Sequence, residues 1–229
     1  MSSKTSNIKI VRLSHDIELG NFDCNDLDLN EFLLNDAKPY LQNLLAVTYL
    51  IFFGKEILAF FSLSNDKISA ADTKSTDTFE NNFRSRMPEG KQIKSYPAVK
   101  IGRMAVNQKF QKNGWGQKTL DFIKGMFIEN NKTGCLFITV DAYKQSIGFY
   151  KKNGFEFLTE KDEKNNTRQM FFRLLDLSKE TITPDGMKNF NFNPKINEEE
   201  LGTQDLNISI FTKLINTFKY FLKSKKHHI

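Results

Sequence analysis

Residues 111–116 read Gln-Lys-Asn-Gly-Trp-Gly, and they lie between an apolar, β-type run at 99–106 and a helical pattern. Downstream, apolar residues recur at helical spacing at Leu120, Ile123, Met126 and Phe127. A strand, a glycine loop and a helix N-terminus in this order form a site for phosphate, because glycine lets the backbone approach an anion and the first-turn amides point at it. The stretch therefore predicts a ligand that contains phosphate.

Two common phosphate-binding motifs do not fit this loop. A P-loop requires Gly-x-x-x-x-Gly-Lys-Ser/Thr, which the sequence lacks. A dinucleotide-binding fingerprint requires a third glycine where this chain has Thr119. The pattern that remains is Gln/Arg-x-x-Gly-x-Gly/Ala with a helix behind it.

A second block follows further along the chain. It reads Phe-Ile-Thr-Val-Asp-Ala at 137–142 and Ile-Gly-Phe-Tyr-Lys-Lys-Asn-Gly-Phe at 147–155. Together the two blocks resemble the GNAT superfamily of acetyl-CoA-dependent N-acetyltransferases. The resemblance implies an α/β (α+β) GNAT fold, with a mixed, mostly antiparallel central sheet flanked by helices, and acetyl-CoA as co-substrate. The order of the predicted elements agrees with this fold.

The resemblance also implies roles for individual residues. The backbone amides of Met104, Ala105 and Val106 would face the pantetheine arm and the thioester carbonyl, where fixed donors stabilise developing negative charge. Tyr150 would be the acid that protonates the departing thiolate, and a tyrosine pKa of about 10 keeps it protonated at pH 7. The positions implied for pyrophosphate binding are Gln111, Lys112, Asn113, Gly114, Trp115, Gly116 and Gln117.

Few groups are suited to general-base chemistry. Histidine occurs only at 15, 227 and 228, and no Gly-x-Ser-x-Gly elbow is present, so a Ser-His-Asp triad is not expected. Asp141 and Glu156 could act as bases, but a carboxylate at a strand end is more often a helix cap or a surface group. An acceptor amine that arrives neutral would need no base.

A wider match, within residues 7–175, resembles the GNAT toxins that acetylate aminoacyl-tRNA. It is carried by residues 22–24, 29–33, 48–49, 61–63, 102–106 and 140–142. This resemblance implies an aminoacyl-tRNA as acceptor and a ribbon-helix-helix antitoxin as partner. Basic residues could line a route for the tRNA acceptor end; they are Arg84, Arg86, Lys91, Lys94, Lys100 and Arg103. A solvated charged loop explains residues 84–94 equally well.

Two other functions stay open. A GNAT enzyme acting on a small amine, a polyamine or a protein N-terminus would carry the same cofactor blocks. A catalytically silent GNAT-fold binding module would share the fold. The intact Gln111, Gly114, Gly116 and Tyr150 favour an enzyme over this last alternative.

The composition limits cofactors and location. The 229 residues carry a formal net charge of +6, which suits either ordinary surface solubility or attraction to a polyanion such as coenzyme A or RNA. Cys24 and Cys135 form no Cys-x-x-Cys pair, so no metal site or disulfide framework is expected. The first 20 residues lack an apolar signal-like region, and no run of about 18 apolar residues occurs. We therefore expect a cytoplasmic protein without integral membrane association.

The character of the chain changes after Leu177. We expect a GNAT domain over residues 1–177, an irregular arm rich in Pro, Gly and Asn over 178–203, and an amphipathic C-terminal helix over 204–226. The apolar face of that helix could dock on its own domain or across a homodimer, on a protein partner, or on a membrane surface.

Within the GNAT domain the patterns predict individual elements. A helix should begin at Asp26, which is suited to N-capping, with Pro39 near its end. Gly54-Lys55 should form a hairpin turn between two strands. The other predicted strands span 8–13, 47–53, 57–63, 136–140, 155–158 and 168–174, and one more strand ends near 107. One further helix ends near 130, and a short helix spans 146–152.

Overall fold

A computed structural model describes residues 8–73, 94–129 and 133–181 of the chain. The strands are β1 (Ile8–Arg12), β2 (Val47–Phe53), β3 (Glu56–Ser69), β4 (Ser95–Val106), β5 (Phe137–Tyr143), β6 (Glu156–Phe157) and β7 (Thr167–Arg173). The helices are α1 (Leu27–Glu31), α2 (Ala37–Gln42), α3 (Trp115–Glu129), α4 (Ile147–Lys152) and α5 (Leu174–Thr181).

The strands form one sheet in the order β1-β2-β3-β4-β5-β7-β6. The β4–β5 pair is parallel, whereas β1–β2, β2–β3, β5–β7 and β6–β7 are antiparallel. The prediction of a mixed, mostly antiparallel sheet is therefore confirmed. The described residues divide into two compact units, the first containing 8–63 and 103–126 and the second containing the remainder.

The first unit is built around the β2–β3 hairpin. Gly54 adopts φ +63°, the left-handed conformation that the tight turn requires and that glycine tolerates best. Aromatic side chains on the hairpin contact neighbouring segments. Phe60 packs edge-on against Phe22, with 5.3 Å between ring centroids, and Phe61 packs against Phe122 of α3, with 6.1 Å between ring centroids. The buried core of this unit includes Leu13, Phe22, Phe32, Leu33, Leu50, Phe60 and Ala105.

The first helical region begins after Asp26 and ends at Gln42, so Pro39 lies near its end as the sequence predicts. Asp26 caps α1, and its side chain accepts a hydrogen bond from the Leu29 amide at 3.2 Å. Proline has no N–H to donate to the preceding turn, so a regular helix would lose a bond there. The π-helical turn Phe32–Asp36, in which the Ala37 amide bonds to Phe32, precedes the proline, and the helix continues to Gln42.

The second unit has β5 as its central strand. Residues 98–101 of β4 pair with residues 137–140 of β5, and β7 pairs along the whole of β5. Its core contains Ile68, Tyr96, Ala98, Phe137, Leu158 and Phe171. The turn between β6 and β7 is held by Arg168, which donates to Asp162 at 2.7 Å and to the Thr159 carbonyl at 3.1 Å, with both charged side chains largely buried.

Part of the sequence prediction lies outside the described residues. This applies to Arg84, Arg86 and Lys91, and to the arm and C-terminal helix from residue 182 onward. Residues 178–181, which we expected to begin the arm, are the last residues of α5. Within the described ranges, none of the helices has the length and apolar character needed to cross a membrane.

Candidate active site

The glycine loop connects β4 to α3 in the first unit. After β4, residues 108–110 form a 3₁₀ turn and residues 111–114 form the loop. Lys112 adopts φ +62° and Gly114 φ +78°, so the backbone turns twice through the left-handed region. A Cβ atom placed on Gly114 would meet nothing within 4 Å, so the space in front of this residue is open. The loop can therefore be approached closely at its glycine.

Backbone donors are concentrated at this open point. The first helical bond of α3 runs from the Lys118 amide to the Gly114 carbonyl at 3.1 Å. No described residue accepts a hydrogen bond from the backbone amides of residues 112–117. These amides lie at the positive end of the α3 dipole. The arrangement fits an anion such as a pyrophosphate group.

The side chain of Gln111, which was expected to contact the pyrophosphate, is bonded to two backbone carbonyls. Its Nε2 donates to the Cys24 carbonyl and to the Val106 carbonyl, both at 2.9 Å. Both side-chain N–H groups are therefore used to fasten the base of the loop to the protein. Sequence reasoning placed Gln111 at the loop but could not show that it bonds to Cys24, which is 87 residues away in the sequence.

The three residues expected to face the thioester lie at the end of β4. Ala105 is buried in the core of the first unit, while Met104 and Val106 are half-buried. The pairing of β4 with β5 covers only Ala98–Ile101, although β4 continues to Val106. The β4 residues after Ile101 therefore lie outside the part of the strand that pairs with β5, while β3 is the neighbour of β4 on its other side.

Two of the basic residues proposed for tRNA contact already have protein partners. Arg103 lies 3.3 Å from the Asp28 carboxylate and 5.4 Å above the Phe32 ring, which holds it against the first helical region. Lys100 donates to Asp141 at 2.5 Å. Lys94 is exposed. Asp141, one of the two carboxylates considered as a base, is therefore paired with the Lys100 ammonium. The other carboxylate, Glu156, is exposed on β6.

Tyr150, the expected acid, lies on α4 in the second unit with only 6% of its surface exposed. Its ring packs edge-on against Phe149 and Phe155, both at 5.2 Å between ring centroids. Burial raises the pKa of the phenol above its ordinary value of 10, because the apolar surroundings disfavour the phenolate. Tyr150 therefore holds its proton throughout the physiological range, as an acid must before it donates.

This burial gives a direct spectroscopic prediction. Because the folded pKa is raised, Tyr150 should remain protonated at pH values where an exposed tyrosine, with a pKa of about 10, is half ionised. The tyrosinate absorbance of wild-type protein and Tyr150→Phe should therefore be identical up to about pH 10, and should differ only after alkaline unfolding. A difference of about half a tyrosinate in the folded protein at pH 10 would contradict the burial of this hydroxyl.

The helix behind the loop carries a charged pair, buried Lys124 and half-buried Asp121, that the apolar pattern did not predict. Burial lowers the pKa of Lys124 to about 8 and raises that of Asp121 to about 6. The i, i+3 spacing of the two residues was the available signal, since such residues are neighbours on a helix surface.

Among the described residues, no group of three or more His, Cys, Asp or Glu side chains could hold a metal ion.

Comparisons with known proteins agree with this geometry. Residues 89–174, which include the end of β4, the glycine loop, α3 and Tyr150, match the family model described as the acetyltransferase (GNAT) domain. This part of the chain is similar to the GNAT acetyltransferase domain. A search of curated protein sequences finds no match.

Solved structures show the same fold at low sequence identity. A tyrosine-to-phenylalanine variant of KacT is 19% identical, with a TM-score of 0.61 over 76% of this chain and 98% of the KacT chain. A similar variant of the AtaT toxin, bound to the C-terminus of the antitoxin AtaR, is 20% identical, with a TM-score of 0.60 over 77% and 99% of the two chains. AtaT complexed with acetyl-methionyl-tRNAfMet is 21% identical, with a TM-score of 0.58 over 75% and 97%. At these identities the likeness establishes the GNAT fold.

Proposed function

We propose that this protein transfers the acetyl group of acetyl-CoA to the α-amino group of an aminoacyl-tRNA. The observation that carries the acetyl-CoA part is the set of backbone amides at residues 112–117, which have no acceptor among the described residues and stand before an open glycine in a GNAT domain. The acceptor is inferred from the structural neighbours, one of which is AtaT with acetyl-methionyl-tRNAfMet.

The residues of this chain would divide the chemistry between them. Amides of residues 112–117 would hold the pyrophosphate, and backbone N–H groups of residues 104–106 would stabilise negative charge on the thioester oxygen. When bound, acetyl-CoA supplies the acetyl group: the amine nitrogen bonds to the acetyl carbon and the carbon–sulfur bond breaks. Tyr150 would donate its hydroxyl proton toward the departing sulfur, the amine nitrogen would release a proton to water, and water would return a proton to Tyr150.

No side chain needs to act as a strong base on this substrate. A free α-amino group has a pKa near 7.7 to 8.0, against about 10.4 for a lysine side chain, and an aminoacyl ester is more acidic still. Much of the acceptor is therefore neutral at pH 7. This removes the need for Asp141, which is paired with Lys100.

The neighbours also support a cytoplasmic toxin that has an antitoxin. Structures of AtaT with the antitoxin AtaR are among those that share this fold. Charged tRNA is a cytoplasmic substrate, and we propose that the protein acts there with a ribbon-helix-helix antitoxin as partner. A homodimer and the docking of residues 204–226 stay predictions.

The test is an acetyl-transfer assay with a panel of acceptors. Purified protein is incubated with labelled acetyl-CoA and with aminoacylated tRNA, uncharged tRNA, polyamines or a peptide with a free N-terminus. We expect label only on aminoacylated tRNA, released by mild alkali as an N-acetyl amino acid because the ester hydrolyses and the amide does not.

Other outcomes identify the competing functions. Label on a polyamine or on the peptide, with none on charged tRNA, would make the protein a GNAT enzyme for small amines or protein N-termini. Binding of acetyl-CoA without transfer to any acceptor would indicate a silent binding module.

A further inference from the structure

A turn far upstream in the sequence is bonded to the base of the glycine loop. Residues 22–25, here called the Asp23 turn, contact both Gln108 and Gln111 in the first unit. The Gln108 amide donates to the Asp23 carbonyl at 2.8 Å, and the Gln108 side chain donates to the Asp23 carboxylate at 2.7 Å. Gln111 donates to the Cys24 carbonyl at 2.9 Å. Three hydrogen bonds thus join the turn to the segment that begins the loop.

One oxygen of the Asp23 carboxylate accepts hydrogen bonds from within the turn and from Asn30. Its Oδ1 accepts from the Asn25 amide at 2.9 Å and from Asn30 Nδ2 at 2.8 Å, while Asn30 Oδ1 accepts from the Cys24 amide at 2.9 Å. These hydrogen bonds, led by that of the Asn25 amide, lower the pKa of Asp23, so the carboxylate is ionised at pH 7. The turn is therefore a closed hydrogen-bonded unit whose other carboxylate oxygen, Oδ2, accepts from the Gln108 side chain.

The loop itself has a backbone that needs such support. Lys112 holds φ +62°, an unfavourable conformation for a residue with a side chain. Strained backbones of this kind persist only where the surroundings fix them. No described residue bonds to the amides of residues 112–117, so the loop is held from its base rather than along its length.

We propose that Asp23 is a positioning residue for the pyrophosphate of acetyl-CoA, which it fixes in place through Gln108 and the glycine loop without touching the ligand. The proposal rests on the proposed function. By holding residues 108 and 111, the Asp23 turn keeps the amides of residues 112–117 in the arrangement that receives the anion. A site arranged in advance loses less conformational freedom on binding.

The charge of Asp23 makes the proposal easy to distinguish from a simple electrostatic effect. A carboxylate near an anion site opposes binding, so removing its charge alone should tighten the affinity for acetyl-CoA. Loss of positioning should weaken the affinity. The two explanations predict changes of opposite sign for the same variant.

The test is Asp23→Ala, with coenzyme A affinity measured by calorimetry. We expect the dissociation constant to rise on the order of 10-fold, since hydrogen bonds to a charged group are lost. The turnover number at saturating acetyl-CoA should be unchanged. With acetyl-pantetheine as donor, which lacks the pyrophosphate and the nucleotide, the specificity constant should also be unchanged. A general structural defect would lower both values.

Matched variants complete the design. Asp16→Ala removes the same charge from an exposed position in the same unit and should leave the affinity unchanged. Asp23→Asn should bind coenzyme A at least as tightly as wild-type protein, because it removes the charge but keeps the hydrogen bonds. Its Oδ1 can still accept from Asn25 and Asn30, and the Gln108 side chain can rotate so that its Oε1 accepts from the new Nδ2. Gln108→Ala, at an exposed position, removes the same side-chain hydrogen bond from the other partner and should resemble Asp23→Ala even if the latter folds poorly.

Failure of the inference and of the proposed function would look different. If wild-type protein binds coenzyme A and both Asp23→Ala and Gln108→Ala bind it as tightly or more tightly, the positioning role is wrong. An equal loss with acetyl-pantetheine would also overturn it. If wild-type protein does not bind coenzyme A at all, the proposed function itself fails.

Discussion

Gly114→Glu should abolish acetyl-CoA binding while the fold is retained. The open space beside Gly114 means that a new side chain meets no protein atom, so the carboxylate would occupy the position proposed for the pyrophosphate. Two like charges about 4 Å apart repel by roughly 4 kcal/mol in a partly buried site. At about 1.4 kcal/mol for each factor of ten, this is on the order of a 10³-fold loss of affinity, measurable by calorimetry.

Gly54→Glu is the matched control for that variant. Gly54 also has a positive φ, +63°, and open space around its Cα, and it lies in the hairpin turn of the same unit. It therefore receives the same strain and the same charge away from the loop, and it should bind acetyl-CoA like wild-type protein. Wild-type affinity in a folded Gly114→Glu protein would mean that the anion does not bind at this helix N-terminus.

Local patterns predicted the elements that carry the site. The strand ending near 107, the glycine loop and the following helix were confirmed at β4, residues 111–114 and α3. Asp26 caps its helix as expected, and Gly54 forms the hairpin turn. Each of these features depends on residues that are close together in sequence. The local residue pattern was therefore enough to predict them.

The contacts that hold the site were not predictable in this way. Asp23 bonds to Gln108 across 85 residues, and Lys100 pairs with Asp141 across 41 residues. The patterns predicted the strands that carry the latter two residues but not their register, which sets the pairing. The sequence likewise placed Gln111 at the loop but could not show that its side-chain donors bond to two protein carbonyls.

Tyr150→Phe should lower the turnover number by roughly 10²- to 10⁴-fold, the usual contribution of a general acid, and should leave the affinity for acetyl-CoA unchanged. Phenylalanine keeps the ring contacts with Phe149 and Phe155, so the helix should remain packed. Only the proton donor is lost. Single-turnover measurements with saturating acetyl-CoA and charged tRNA would report the chemical step.

The raised pKa of Tyr150 indicates how the hydroxyl would act. A free thiol has a pKa of about 8.5, so complete transfer from a phenol with a pKa above 10 is uphill by at least about 2 kcal/mol. Tyr150 should therefore help mainly by donating a strengthening hydrogen bond as charge develops on sulfur. Tyr96→Phe removes another buried tyrosine hydroxyl from the same unit and should keep the wild-type rate. Equal single-turnover rates for wild-type protein and Tyr150→Phe would reduce Tyr150 to a packing residue, and the proton for the thiolate would then have to come from water.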